Sequence, residues 1–122
     1  NMQVKKYLLL FFILILFFVS CTSKSNEVVI PEAILSKDSM IQILADIHLA
    51  ESEATLYPYN DSLGIINLPA YYKYIFEHHK IDTAVFSHSM NFYLANPELM
   101  NSVYSGVIDE LSKRHARYQK NN

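Results

Sequence analysis

The sequence predicts an all-α protein, a small bundle of about four helices behind an N-terminal lipoprotein signal segment and a short tether. Three observations point there. Between Ser36 and Gln119 apolar residues recur at helical spacing. Each run begins on a Ser, Asp, Thr or Asn residue, and two of them carry proline in the first turn, at Pro69 and Pro97. No stretch alternates apolar and polar residues as a half-buried strand would, and no segment repeats another.

Met2 reads as the natural start, with Lys5 and Lys6 as a basic head. Tyr7 to Val19 are 13 apolar residues without a charge. A spanning helix needs about 20, so the run has the length of a secretory signal. Phe18-Val19-Ser20-Cys21 is similar to a bacterial lipobox, in which a peptidase cuts just before a cysteine whose sulfur carries diacylglycerol. Small Ser20 and the following Cys21 fit; Phe18 stands where leucine is usual. The competing reading is an uncleaved anchor with an incidental cysteine. Cys21 is the only cysteine and stands where the apolar run ends, so lipidation of Cys21 is expected. The expected organisation is then 1–20 signal peptide, 21–30 lipidated cysteine and tether, and 31–120 a single helical domain. The mature 102 residues would carry 8 basic and 12 acidic side chains, a net charge of −4. That balance excludes a nucleic-acid binder, which needs a basic excess. With its one thiol acylated the chain has no disulfide to form. The tether 22–29 reaches roughly 25 Å at about 3.3 Å per residue, which keeps the domain close to its membrane.

Within the domain, Glu32 to Leu35 suits a single turn after Pro31. Ser36 or Asp38 caps a helix to about Thr55, whose wide apolar arc (Met40, Ile43, Leu44, Ile47, Ala50) makes it the central helix. Tyr57 to Asn67 carries Pro58, Asn60-Asp61 and Gly64 and reads as a loop. Asn67 caps the next helix, to about His79, with Leu68, Tyr72, Ile75 and Phe76 inward. Asp82 or Thr83 starts the third, ending near Ala95, with Phe86, Ser89, Met90, Tyr93 and Leu94 inward. Asn96-Pro97-Glu98 starts the last, to about Gln119. Its predicted stripe is Met100, Val103, Tyr104, Val107, Ile108, Leu111 and Tyr118, extended by His115.

The segments "MIQILADIHLAESEA", "YYKYIFEHHKID" and "FSHSMNFYLANPELMNSVYSGVIDEL" resemble the lipoprotein family known as domain of unknown function 4296. The resemblance spans about Pro31 to Leu111, and Phe86, Ser89, Tyr93, Pro97, Tyr104, Val107 and Leu111 in that order carry most of it. Lys80 stands where the family often has a helix-ending glycine. The resemblance implies a small helical lipoprotein of the Bacteroidota and no established enzymatic activity. In that lineage acidic residues just after the cysteine often mark surface display. "CTSKSNE" has no acidic pair there, so a domain facing the periplasm, held in the outer membrane, is expected.

The candidate sites are few. Glu51 falls near the centre of the central helix's apolar arc, with His48 three residues before it. A buried carboxylate must be paired or protonated. The expectation is a buried polar network in which Glu51 accepts from His48 or a tyrosine hydroxyl. A recognition pocket is the sharper alternative; metal binding or acid–base chemistry lacks a third group. His78 and His79 point about 100° apart and cannot chelate together, and His88 lies on a polar face. Ser89 has no acid–His pair near it and reads as a packing serine. No metal and no cofactor are expected. Lys113, Arg114, Arg117 and Lys120 form a basic C-terminal patch that suits the helix dipole or, alternatively, an anionic surface. Tyr57, Tyr59, Ile65, Ile66 and Tyr74 form the candidate interaction surface, since exposed aromatics are common hot-spot material. Together these features lead to the expectation of a non-enzymatic interaction or scaffold module. It would hold the membrane through its lipid and engage an envelope protein partner, in a setting such as outer-membrane assembly or secretion machinery. The alternative is a binding protein for a small apolar ligand or lipid.

Overall fold

The structure, a computed structural model, describes residues 1–18, 27–56 and 67–122. The described residues form α1 (Met2–Phe18), α2 (Lys37–Leu56), α3 (Leu68–His78), α4 (Thr83–Leu94) and α5 (Pro97–Asn121), with no strand among them. Cys21, most of the tether, and Tyr57, Tyr59, Ile65 and Ile66 lie outside the described residues. The apolar side chains of α1 from Tyr7 to Leu14 are exposed, Leu8 and Phe12 among them. No described helix is long and apolar enough to cross a membrane.

Local chemistry sets the helix ends. Ser36 caps α2: its Oγ accepts from the Ser39 N–H at 3.2 Å and its carbonyl from the Met40 N–H at 2.9 Å. Asp38 instead lies in the first turn, where a carboxylate suits the dipole. Asn67 caps α3 through the Ala70 N–H at 3.3 Å, and Asp82 caps α4 through the Ala84 N–H at 2.9 Å. Asn96 precedes α5 but its side chain does not cap it. Its amide donates backwards to the Phe92 carbonyl at 2.7 Å, tying off α4. At the end of α3 the chain turns through Lys80, which has φ 54°. The Ile81 N–H bonds the Phe76 carbonyl and the Lys80 N–H bonds the Glu77 carbonyl, both at 3.0 Å. That pair of bonds is a Schellman motif, whose left-handed position usually takes glycine.

The helix α2 lies between α5 and α3, and α4 packs on α5. Met40, Leu44, Tyr93, Met100, Val103 and Val107 form the main core; Ile43, Ala50 and Ile75 form a second cluster between α2 and α3. Every residue of both clusters and of their margins lies between Ile30 and Leu111. Residues 27–122 therefore close a complete core without α1. At Gly106 the backbone of α5 lies against the Ile41 side chain of α2. A Cβ there would overlap Ile41 Cδ1 and stand 2.8 Å from its Cγ1.

The pre-helix turn at Pro31–Leu35 is held down by α4. The Ile34 N–H bonds the Pro31 carbonyl at 3.0 Å, closing the turn. The Leu35 N–H then donates to Ser89 Oγ at 2.9 Å, and the Leu35 carbonyl accepts from the Tyr93 hydroxyl at 2.9 Å. Ser89 and Tyr93 are both fully buried. Their two hydroxyls satisfy both polar groups of one backbone residue, which explains polar side chains on the inward stripe of α4.

The inward stripe of α5 is narrower than its sequence suggests. Met100, Val103 and Val107 are buried, but Tyr104, Ile108, His115 and Tyr118 are exposed, as is Leu94 on α4. The apolar arc of a helical wheel covers both the packed face and its flanks. Only the position of the neighbouring helices decides where packing stops. Burial on α5 follows 100, 103, 107 and then Glu110, Leu111 and Arg114, a line that carries charge into the interface.

Candidate functional site

The strongest polar cluster joins three helices. Gln42 and Asp46 come from α2, one turn apart; Glu110 and Arg114 come from α5, also one turn apart; His79 follows the last turn of α3. Arg114 Nη1 donates to Asp46 Oδ1 at 2.5 Å, Nη2 to Gln42 Oε1 at 2.8 Å, and Nε to Glu110 Oε1 at 2.8 Å. His79 Nε2 lies 2.6 Å from Asp46 Oδ2. The four ionisable side chains are 16–25% exposed. Partial burial pushes the Asp46 carboxyl up, but hydrogen bonds from Arg114 and His79 outweigh that and hold it below the usual carboxylate range. Partial burial likewise disfavours the Arg114 cation, and its carboxylate partners reverse the effect and raise it. The guanidinium fork suits this task because one planar group can serve three acceptors at once.

A carboxylate–imidazole pair is also the arrangement of a general base. Among the described residues, however, no hydroxyl or thiol is hydrogen-bonded to the His79 ring, and Asp46 is already committed to Arg114. The cluster therefore ties the end of α3 and the body of α5 to α2. On the helical wheel Asp46 lies beyond the edge of the apolar arc of α2, about 40° past Ala50, so its position along the helix does not mark it as Glu51 is marked.

The Glu51 pair sits elsewhere and is half-exposed, not buried as the wheel suggested: His48 and Glu51 side chains are 42% and 45% exposed. Glu51 Oε1 accepts from the Tyr72 hydroxyl at 2.8 Å, while Oε2 is 3.7 Å from His48 Nδ1, beyond hydrogen-bond reach. Hydrogen bonding to that carboxylate raises the Tyr72 hydroxyl pKa. The wheel misplaced the pair because α3 and α5 leave a gap over this part of α2. The gap is a groove of about 330 Å³ with Leu44, Ile47, Phe76, Phe86 and Met90 along its walls. His48, Glu51, Tyr72 and Tyr104 also line it.

A second groove, also about 330 Å³, uses different residues of α2 and α3: Leu49, Glu53, Tyr71, Tyr74 and His78 around the edge of Asp46. Tyr74 is 66% exposed and its ring stacks on His78 with centroids 6.1 Å apart. Tyr71 and Leu49, which also line the groove, are exposed.

The basic C-terminal patch is smaller than its sequence implies. Arg114 is held inside the Asp46 cluster and is not available to a surface. Lys113 pairs with Asp109 at 2.7 Å, and Arg117 reaches Glu110 at 3.4 Å. Lys120 is exposed in the last turn of α5. Spacing four cations along one helix reveals their number but not the carboxylates that neutralise them. Among the described residues no group of three or more His, Cys, Asp or Glu side chains is placed to hold a metal ion.

Fold and clusters together define a small all-α domain whose interior charges brace its helices, with two of the grooves among its described residues lying along α2. The chain belongs to the family described as Domain of unknown function (DUF4296), which matches residues 31–117. The match starts at the turn pinned by Ser89 and Tyr93 and ends just past Arg114, so it takes in the whole core and the whole Asp46 cluster. No curated protein and no solved structure matches the chain.

Proposed function

We propose that this chain is a Bacteroidota lipoprotein anchored through Cys21 in the outer membrane, and that its helical domain is a non-enzymatic interaction module facing the periplasm. Support for the anchor is the basic head, short apolar run and single cysteine of the N-terminal segment. A single acyl chain binds a membrane marginally and two or more hold it stably, so diacylglycerol on Cys21 suffices to keep the domain there.

The observation that carries the interaction reading is the face formed by aromatic residues of α3 beside Leu49 of α2. Leu49, Tyr71, Tyr74 and His78 surround an open groove whose lining includes Asp46 and Glu53 and, among the described residues, no lysine or arginine. Exposed tyrosines give contact area at low entropic cost. A protein partner with basic and apolar residues fits this face. Machinery for outer-membrane assembly or secretion is the proposed setting, by analogy with other small helical lipoproteins.

Two measurements test the reading. Cys21→Ala is expected to lose fatty-acid labelling and signal cleavage together; equal labelling of both proteins removes the anchor. Tyr71→Ala combined with Tyr74→Ala is expected to melt within about 1 kcal/mol of wild type, two surface changes of about 0.5 each. It is also expected to lose an envelope partner recovered by the wild type. Recovery of the same partner by a normally folded double variant removes this face. The groove beside Glu51 favours a second reading, a binding site for a small apolar ligand or lipid.

A further inference from the structure

We propose that the groove over α2 at Glu51 binds a single-chain alkylammonium amphiphile, with the alkyl chain between Phe76, Phe86 and Met90 and the ammonium at Glu51. The inference rests on the ligand-binding reading just given and is independent of the partner face, which uses other residues.

Four features of the groove select this chemistry. Its volume of about 330 Å³ is at the lower end of the range for small-molecule sites, and equals roughly eleven liquid waters at about 30 Å³ each. That is room for an alkyl chain of six or more carbons, longer than a lysine stem. Its walls are apolar and aromatic, with the Phe76 and Phe86 rings 5.0 Å apart. Glu51 offers a carboxylate that is 45% exposed, with Oε1 oriented by Tyr72 and Oε2 lacking a hydrogen bond among the described residues. Among the described residues no lysine or arginine lines the groove; of its described lining residues, His48, at 3.7 Å, is the one that can carry positive charge.

These features discriminate among ligands. A carboxylate or phosphate head would meet Glu51 with like charge. A neutral chain would fill the walls but leave Oε2 partly dehydrated and unpaired. A cationic head on an apolar chain satisfies both, and Tyr72 and Tyr104 in the lining supply aromatic rings of the kind that attract ammonium groups.

The test is a set of NMR titrations of residues 27–122, which contain both cores, following the Met90 methyl and the Phe86 and Tyr104 rings. The probes are hexylammonium, 1-hexanol, hexanoate and N-acetyl-lysine methylamide. Hexylammonium is expected to bind about tenfold more tightly than hexanol, a difference of about 1.4 kcal/mol, with hexanoate weakest. Acetyl-lysine methylamide is expected to be several-fold weaker than hexylammonium because its stem is shorter. Glu51→Gln keeps an acceptor for Tyr72 and is expected to bring hexylammonium down to the hexanol value while leaving hexanol unchanged. Equal binding of hexylammonium and hexanol to the wild type overturns the ammonium assignment but leaves an apolar site. No shift in the groove with any probe overturns both. Acetyl-lysine methylamide binding as tightly as hexylammonium overturns the amphiphile in favour of a side chain.

Discussion

Removing Asp46 tests the account of what braces the helices. Asp46→Ala takes away the carboxylate that holds Arg114 at 2.5 Å and His79 at 2.6 Å, groups supplied by α5 and by the end of α3. Breaking a fully buried pair costs about 3–5 kcal/mol, and breaking an exposed one about 0–1. Here the side chains are 20–25% exposed, and Arg114 keeps Glu110 and Gln42 at 2.8 Å. The expected loss is intermediate, about 2 kcal/mol. For a domain of this size each kcal/mol moves the melting temperature by about 4–8 °C, so the variant should melt about 8–16 °C below wild type near pH 7. The pH dependence follows from the depressed Asp46 carboxyl. Its folded pKa lies below the ordinary aspartate value of 3.8, so on acidification the unfolded chain takes up the proton first. The stabilisation is therefore present above about pH 4 and is lost as pH falls through the folded value. The gap between wild type and variant should narrow toward about pH 2. Arg114→Ala should cost a similar amount, and the double variant less than the sum, because both changes remove one interaction. The assay is circular-dichroism melting of residues 27–122 between about pH 2 and 8. A gap under about 2 °C at neutral pH, or one that stays constant on acidification, refutes the brace.

Three further outcomes follow from single positions. Lys80→Gly should raise stability by about 0.5–1 kcal/mol, since a non-glycine residue at φ 54° carries a steric cost that glycine lacks; a lower melting temperature contradicts the turn assignment. Gly106→Ala gains about 1 kcal/mol of helix propensity but forces Ile41 out of its rotamer, at about 1–3 kcal/mol. A net loss of about 1 kcal/mol is expected by denaturant titration, and Ile41→Val should recover part of it. Tyr93→Phe leaves the Leu35 carbonyl without its donor in the core and should cost about 1–3 kcal/mol; an unchanged midpoint would mean water replaces the hydroxyl.

Helix starts were legible because capping is local chemistry. Ser36, Asn67 and Asp82 each bond an N–H two or three residues on, and the spacing of side chain to backbone is fixed within one turn. Asn96 shows the limit of that logic. The same residue type in the same position turned back to Phe92, because the end of α4 lies as close as the start of α5. The inward role of Ser89 was legible from its place on a stripe, but its partner, 54 residues away at Leu35, was not.

Read alone, the residues specify a helical chain, the starts of α2 to α5, and α2 as the central helix. All three depend on periodicity and on neighbours within four residues. The sequence also flagged Glu51, since a charge in an apolar arc is visible on one helix alone. Tertiary structure decided which edge of each arc is covered. It buried Val103 and left Ile108 and Tyr118 in solvent, it placed Glu51 at a half-open groove, and it turned Arg114 from a surface cation into the link between α2 and α5. The reason is geometric. A helical wheel gives the angle of each side chain about its own axis, whereas burial and charge pairing depend on the distance to a second axis. Asp46 and Arg114, 68 residues apart, have no local signal that they meet.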